Sequence, residues 1–285
     1  MGNQAQSFNM ISSGRWLMAA VALALGAQGC AHKGPPPANM APQESGKPVA
    51  PVAAVPAPPP VIEQQALDRL KTMSDKLAAA KAFTYHARST VEQPAKTGQF
   101  LTRFIESDVA LQRPDKLRVL LTGDLPNFQF FYDGSNATAF DAAKNLYATA
   151  KAPATIDAML PFVMDLAGID FPAADFLVSD PYAEMTKDLT HAIVVGPAKV
   201  NGIATEHFAF IGPAANWEIW IDAGESALPR RVAVTYKTVE NFPRFHVEFF
   251  DWNLKPNTNP GQFVFKRPAG AKQIEFGSRV GQPGQ

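Results

Sequence analysis

The chain reads Asn-Trp-Glu-Ile-Trp-Ile-Asp at residues 216–222, and this stretch decides the fold class. Large apolar side chains recur there at every second position, as they do again in residues 232–236 and 245–249. A period of two is typical of a strand that turns one face to a core. Turn-forming residues such as Pro229 and Pro243 separate the three segments. The pattern therefore predicts three successive antiparallel strands that share a broad apolar face.

Composition excludes several classes of partner and site. Acidic and basic side chains number 26 each in the 285 residues, so charge gives no reason to expect a nucleic acid or an anionic membrane surface as partner. Cysteine occurs once, at Cys30, which excludes an intramolecular disulfide and a cysteine-based metal site. The length allows one or two domains, and all-β barrels of this size often form one.

The first thirty residues have the features of a secretory signal. Arg15 precedes an apolar run, Trp16 to Ala27, that is short for a membrane span and ends in small residues before Cys30. This resembles the signal of bacterial lipoproteins, in which the cysteine is lipidated and becomes the new N-terminus. The resemblance implies a lipid anchor at Cys30 and, with Ala31 after it, sorting to the outer membrane. The alternative is an ordinary cleaved signal with an incidental cysteine.

The next segment is predicted to be a spacer. Residues 31–60 are rich in Pro and Ala, a composition that forms no core and favours an extended, semi-stiff and disordered linker. At about 3 Å per residue, it would hold a domain several tens of ångströms from an anchor. The folded domain is then expected at residues 61–276, followed by a disordered tail at 277–285 that is rich in Gly, Gln and Pro.

The folded domain is predicted to be α+β and mainly antiparallel. It begins with a helix at residues 61–82, whose apolar stripe is Leu67, Leu70, Met73, Leu77 and Ala80. Further strands are predicted at 83–92, 100–112, 116–122, 128–132, 138–140, 145–149, 191–196, 203–211 and 263–266, and short helices at 155–167, 173–178 and 181–185. About eleven strands in one twisted sheet must curl. We therefore expect a half-open curled β-barrel with an N-terminal helix and short lid helices over its concave face.

Four local motifs occur in one order along the chain: Gln-Arg-Pro-Asp-Lys-Leu-Arg at 112–118, Tyr-Asp-Gly at 132–134, Trp-Ile-Asp at 220–222 with Leu-Pro-Arg-Arg at 228–231, and Phe-Val-Phe-Lys-Arg-Pro-Ala-Gly at 263–270. In this order they resemble the bacterial outer-membrane lipoprotein carriers and receptors, the LolA/LolB superfamily, over residues 65–275. The resemblance implies an eleven-stranded half-barrel with a cavity for acyl chains. In the carriers, the arginine of the Arg-Pro motif holds the helical lid shut, and the matching residue here is Arg113.

A closer likeness is to a family of predicted periplasmic proteins related to those carriers. It is carried by Asp-Pro-Tyr at 180–182, His-Phe-Ala-Phe at 207–210, Asn-Trp-Glu-Ile-Trp at 216–220 and Asp-Trp-Asn at 251–253. The soluble carriers have neither a lipid anchor nor a Pro-rich spacer. The resemblance therefore implies binding of a lipid or another lipophile at the cell envelope. It does not imply transfer of lipoproteins.

The candidate ligand-binding residues are the apolar side chains expected on the concave face, and each has plain core packing as its alternative. They are Val119, Leu121, Phe128, Phe130, Phe208, Phe210, Trp217, Ile219, Phe245, Val247 and Phe249. Arg113 is the candidate lid clamp, because a guanidinium offers five donors in a fixed fork. Its alternative is an ordinary strand-end arginine that is solvated or paired with Asp115.

No motif in the sequence indicates catalysis, a metal or a cofactor. The five histidines are scattered, and neither a nucleophile elbow, a P-loop nor a dinucleotide fingerprint is present. We therefore predict a non-enzymatic periplasmic module, anchored to the outer membrane, that binds a lipid or a lipoprotein acyl chain in the half-barrel. The alternative is a structural or sensory envelope protein that binds a protein partner and no ligand. A hydrolase acting on an apolar substrate is a third hypothesis, without a motif to support it.

Overall fold

The structure, a computed structural model, describes residues 59–124 and 127–276. The predicted signal, Cys30, nearly all of the linker and the tail lie outside the described residues. The helices are α1 (Gln64–Ala79), α2 (Ile156–Ala167) and α3 (Pro181–Thr186), with short 3-10 helices at Ala174–Phe176 and Pro260–Phe263. The strands are β1 (Val61–Ile62), β2 (Ala82–Pro94), β3 (Phe100–Gln112), β4 (Lys116–Gly123), β5 (Phe128–Tyr132), β6 (Asn136–Asp141), β7 (Leu146–Lys151), β8 (His191–Val200), β9 (Ile203–Ile211), β10 (Ala215–Asp222), β11 (Pro229–Tyr236), β12 (Arg244–Asn253) and β13 (Lys272–Gln273).

All of these strands join in one sheet, in the order β1-β8-β9-β10-β11-β12-β2-β3-β4-β5-β6-β7-β13. The pairs are antiparallel except at the two edges, where β1 and β13 add parallel to β8 and β7. The two halves of the chain meet where β12 pairs with β2. Because each strand is rotated relative to its neighbour by roughly 20–25°, a sheet of this width curls. The predicted fold class, a mainly antiparallel curled sheet with an N-terminal helix and short covering helices, is confirmed.

The alternating pattern of the opening stretch separates the inner face of the sheet from the outer face. In β10, Trp217, Ile219 and Ile221 are at most 1% exposed, whereas the residues between them are less buried. The register places Trp217 beside Phe210 of β9 and Ile219 beside Phe208. The same alternation in the neighbouring strands makes the inner face a continuous apolar surface, which is joined to the helices in one core cluster.

Helix α1 packs on this inner face with the predicted stripe. Leu70, Met73 and Leu77 are fully buried, spaced three and four residues apart as an amphipathic helix requires. The helix is shorter at its start than predicted, because Val61 and Ile62 pair in parallel with His191 and Ala192 instead. None of the helices in the described part of the chain is long and apolar enough to cross a membrane.

Short helical segments between β7 and β8 also pack on the inner face. Thr155 caps the start of helix α2, because its hydroxyl accepts a hydrogen bond from the Ala158 amide (3.3 Å), and Gly168 follows the helix in the left-handed conformation. Asp180 caps the start of helix α3, because its carboxylate accepts from the Ala183 amide (3.0 Å). We call residues 155–187 the cover.

The predicted last strand, residues 263–266, is wrong. Pro260 and the capping side chain of Asn259, which accepts from the Gly261 amide (2.9 Å), start a 3-10 helix that ends at Phe263. Phe263 is fully buried, while the Phe265 ring packs on the outer face of the sheet, against Phe131, Phe140 and Tyr147. The alternating aromatic residues predict a strand here, but Phe263 and Phe265 are buried in separate places instead. In this last part of the chain, Lys272–Gln273 pairs with the sheet.

Candidate functional site

The eleven predicted ligand-binding residues lie together on the inner face. Ten of them are at most 6% exposed, and Leu121 is partly buried against the same cluster. The strands that supply them are β4, β5, β9, β10 and β12. The sequence pattern thus identifies one contiguous apolar surface, and in this structure every one of its members takes part in the core packing.

Two phenylalanines of the cover sit directly on that surface. The Phe171 ring meets the edge of Phe130 at a centroid distance of 4.8 Å, and the Phe176 ring meets Phe249 at 5.4 Å, nearly perpendicular. Phe171 is 2% exposed and Phe176 is fully buried. A hydrocarbon chain that lies against Phe130 and Phe249 would therefore have to displace these two rings. The sequence predicts this segment only as lid helices over the sheet, whereas in the structure its rings also fill the interior.

Arg113 joins two elements that lie over the inner face. Its Nη1 donates to the carbonyl oxygen of Leu177 in the cover (3.0 Å), and its Nη2 donates to the carbonyl oxygen of Leu77 in α1 (3.3 Å). Partial burial lowers the pKa of the guanidinium, and the Asp157 carboxylate opposes that shift. Asp115 pairs with Lys116 instead (3.0 Å), so the alternative pairing of Arg113 with Asp115 is wrong.

The cover itself carries two buried or partly buried carboxyl groups, which the sequence analysis did not single out. Asp175 is fully buried in the 3-10 helix, and Asp170 is partly buried just before it. Burial raises the pKa of Asp170 to about 7, although the Phe171 amide donates to its carboxylate (2.9 Å). Burial, and then the nearby carboxylates of Asp170 and Asp175, raise the pKa of Tyr236 well above its ordinary value. One part of the otherwise apolar interior is therefore acidic.

The outer face carries a separate groove of about 710 Å³ that crosses strands from β4 to β10. Phe104 in its lining is 62% exposed. Ion pairs line it as well: Arg88 Nε lies 3.2 Å from Glu106 Oε1, and Arg231 pairs with Glu248. The lining holds four carboxylates (Glu106, Asp124, Glu218 and Glu248) against two guanidinium groups, so it has an excess of negative charge.

The histidines do not gather into a metal site. His207 lies on the outer face, where its Nε2 is 2.8 Å from Glu218 and its ring stacks on Trp220 at 4.0 Å. His86 pairs with Asp108 on another pair of strands (3.0 Å). No group of three or more His, Cys, Asp or Glu side chains within residues 59–124 and 127–276 is arranged to hold a metal ion.

Comparison with known proteins places the chain in a family. The family model described as predicted periplasmic protein (DUF2092) matches residues 66–277. The chain belongs to this family. That match confirms the expected membership of a family of predicted periplasmic proteins, which the motifs at 180–182, 207–210 and 216–220 indicated. No curated protein matches the sequence.

Solved structures with a similar fold come from several bacteria. The lipoprotein LppX of Mycobacterium tuberculosis is 14% identical, with a TM-score of 0.44 over 69% of this chain and 100% of that chain. LprF of Mycobacterium bovis is 14% identical, with a TM-score of 0.37 over 71% and 99% of the two chains. A LolA superfamily protein of Nitrosomonas europaea is 8% identical, with a TM-score of 0.33 over 71% and 97%.

Proposed function

We propose that the protein is a periplasmic binding module that holds a lipid, an acyl chain or another lipophile between the inner face of the sheet and the cover, without catalysis. The observation that carries the proposal is the continuous apolar inner face, which is closed over much of its area by short helical segments. A single long helix in that place would be stabilised by many contacts along its length. Short segments expose less apolar surface when they move, so a ligand can replace them.

The contacts favour the cover as the part that moves. Helix α1 is tied to the sheet, because Arg69 Nε lies 2.8 Å from the Glu206 carboxylate of β9. The cover is held by Arg113 and by the rings of Phe171 and Phe176. Lifting those two rings exposes apolar surface worth about 1.5–3 kcal/mol for each side chain. Since a buried methylene contributes about 0.8 kcal/mol, a chain of roughly eight carbons or more would offset that loss.

We further propose that Cys30 carries a lipid that anchors the module at the outer membrane, with residues 31–60 as the spacer. The support is the position of the single cysteine, directly after an apolar run that ends in small residues. Metabolic labelling with an alkynyl palmitate should mark the wild-type protein and leave Cys30→Ser unmarked. Equal labelling of the two proteins would refute Cys30 as the anchor site and would leave the ligand-binding proposal unaffected.

The binding proposal is tested with ligands of graded length. Isothermal titration with hexanol, octanol and decanol should show an affinity that rises with each added methylene. Phe176→Ala, which removes one displaced ring, should bind decanol more tightly than the wild type. Phe104→Ala is the matched control on the outer face and should change nothing. Purified protein without extractable lipid, and without decanol binding in any of these variants, would refute the function.

A second candidate function is binding of a protein partner, and the outer groove favours it. The exposed Phe104 and the excess of carboxylates in the lining fit a partner segment with an apolar side chain flanked by Lys or Arg. A photo-crosslinking amino acid at position 104 should then capture one protein in cells, and Glu218→Lys should abolish the adduct by reversing a charge. An adduct of equal yield from the exposed position 195 would show that the capture is non-specific.

A further inference from the structure

The turn between β11 and β12, residues 237–243, holds an exposed phenylalanine in a strained backbone conformation. Phe242 is 59% exposed, and its φ of 52° lies in the left-handed region, which large side chains rarely adopt. Its amide donates to the carbonyl oxygen of Val239 (3.1 Å), and Val239 packs against the core, so the turn is built into the fold. Glycine would take this conformation at little cost. The fold therefore gives no reason for a large apolar ring at position 242.

This turn projects from the end of the sheet at which the chain enters it. One row of paired residues crosses six neighbouring strands: Val61, His191, Ile211, Asn216, Thr235 and Arg244. Both β1 and β12 run inward from this row, so the residues before Val61 and the turn before Arg244 leave the sheet at the same end. Five strand spacings of about 4.8 Å put these two points at most about 24 Å apart. We call this end of the sheet the rim.

Exposed apolar side chains are concentrated at the rim. In residues 59–124 and 127–276, seven large apolar side chains are exposed, and four of the seven lie at the rim: Val61, Ile62, Leu101 and Phe242. Leu101 belongs to it because its partner on β2, Gln93, follows Glu92, whose carboxylate accepts from the Arg244 amide (2.8 Å). A concentration of exposed apolar residues marks a surface that contacts a protein or a membrane.

The spacer favours a membrane over a protein as the partner of the rim. A tether raises the effective concentration of whatever it joins, and the predicted spacer joins the domain at Val61. The rim is therefore the end of the domain that an anchor at Cys30 would hold nearest to the bilayer. Charges of both signs lie around the turn, with Lys237 and Arg244 beside Glu240. The contact therefore depends on apolar side chains and does not require anionic lipid.

We propose that the rim rests on a lipid bilayer, with the Phe242 ring inserted at the membrane interface. The inference rests on the proposed anchoring of the chain, because the burial of one ring orients a tethered domain but would hold an untethered one only weakly. The second row of paired residues already includes Phe210, Trp217 and Phe245 of the inner face. A lipophile would thus leave the bilayer close to the surface that is proposed to bind it.

The test supplies its own tether. The full chain with Cys30→Ser and an N-terminal His tag is held on phosphatidylcholine vesicles by a nickel-chelating lipid. An environment-sensitive fluorescent amino acid at position 242 should shift its emission to the blue and should be quenched by lipids that carry a spin label near the head group. The same amino acid at position 195, where Val195 is 56% exposed on β8 away from the rim, should show neither change.

A reporter at position 97, in the exposed turn between β2 and β3 at the rim, measures the contact when Phe242 is replaced. Phe242→Ser should lower the equilibrium constant for vesicle contact about tenfold or more, since the burial of a phenylalanine is lost. Phe104→Ser is the matched control, because Phe104 is 62% exposed but lies on the outer face. It should leave the contact unchanged. Phe242→Gly should also lose the contact, and its midpoint in urea denaturation should be no lower than that of the wild type.

The outcomes separate the membrane contact from the proposals on which it rests. Equal quenching at positions 242 and 195, or unchanged contact in Phe242→Ser, would overturn the membrane contact and leave lipophile binding unaffected. A lower urea midpoint for Phe242→Gly would also overturn it, because the ring would then serve the fold. A blue shift at position 242 that appears without vesicles and grows with protein concentration would assign the rim to a second copy of the chain. An unlipidated Cys30 would refute the anchor alone, since the tagged chain does not depend on it.

Discussion

Replacement of Asp170 by Asn should change how the stability of the protein depends on pH. The pKa of this carboxyl rises from the ordinary 3.8 to about 7 in the folded protein, because burial disfavours its charged form. Between these two values the folded state holds a proton that the unfolded chain has released. The protonated Asp170 therefore stabilises the folded state. This stabilisation is fully present below pH 3.8 and is lost as the pH rises through about 7.

The size of the effect follows from the shift. At about 1.36 kcal/mol for each pKa unit, a rise from 3.8 to about 7 corresponds to roughly 4 kcal/mol of unfolding free energy. Wild type and Asp170→Asn should thus have similar stabilities near pH 4. By pH 8 the variant should be more stable by up to that amount. Asparagine keeps an oxygen that can accept from the Phe171 amide, so the substitution removes the charge with little other change.

Urea denaturation, followed by circular dichroism at each pH from 4 to 8, measures the difference. The relevant quantity is the unfolding free energy of the variant minus that of the wild type, because the contributions of Asp222 and Glu248 are the same in both proteins and cancel. The pKa values of both those carboxyls are lowered, so their contributions are lost only as the pH falls through those values. Asp165→Asn, an exposed change on α2, is the control. Parallel curves for wild type and Asp170→Asn over the whole range would refute the reasoning.

Three further changes should affect stability in graded ways. Arg113→Gln removes the charged donor to two buried carbonyl oxygens and should lower the unfolding free energy by about 2 kcal/mol in urea denaturation. It should also increase protease cleavage within the cover. Unchanged resistance of the cover to cleavage would contradict the role of Arg113 as a clamp. Phe263→Ala should cost about 3–5 kcal/mol and its exposed neighbour Val264→Ala less than about 0.5 kcal/mol, and equal values would show that the C-terminal segment is not docked. Gly123→Ala would bring a Cβ to 2.3 Å from the Phe104 carbonyl oxygen, whereas Gly98, also at positive φ, has open space. Alanine at either position carries backbone strain, but only Gly123→Ala adds this clash. Gly123→Ala should therefore have a lower melting temperature than Gly98→Ala in thermal denaturation. Equal melting temperatures would mean that β3 and β4 move apart at little energetic cost.

The fold could be predicted from the sequence because its elements are periodic. The alternation in β10, β11 and β12 and the stripe on α1 each define one buried face, and a one-residue slip would expose every large side chain of a strand. The two-residue strands β1 and β13 carry no period and were not predictable. The strand predicted at residues 263–266 was wrong for the opposite reason. The aromatic alternation there matches a strand, although Pro260 and Asn259 start a 3-10 helix.

The sequence by itself determined that the protein has a large apolar face, which residues form it, and that Arg113 precedes the proline where the chain turns. Only the tertiary structure decided that Phe171 and Phe176 of the cover fill that face, and that Arg113 joins the cover to α1. These groups are far apart in the chain and share no pattern. Their meeting depends on the strand register and on the path of the cover, because side chains act on one another through distance in space.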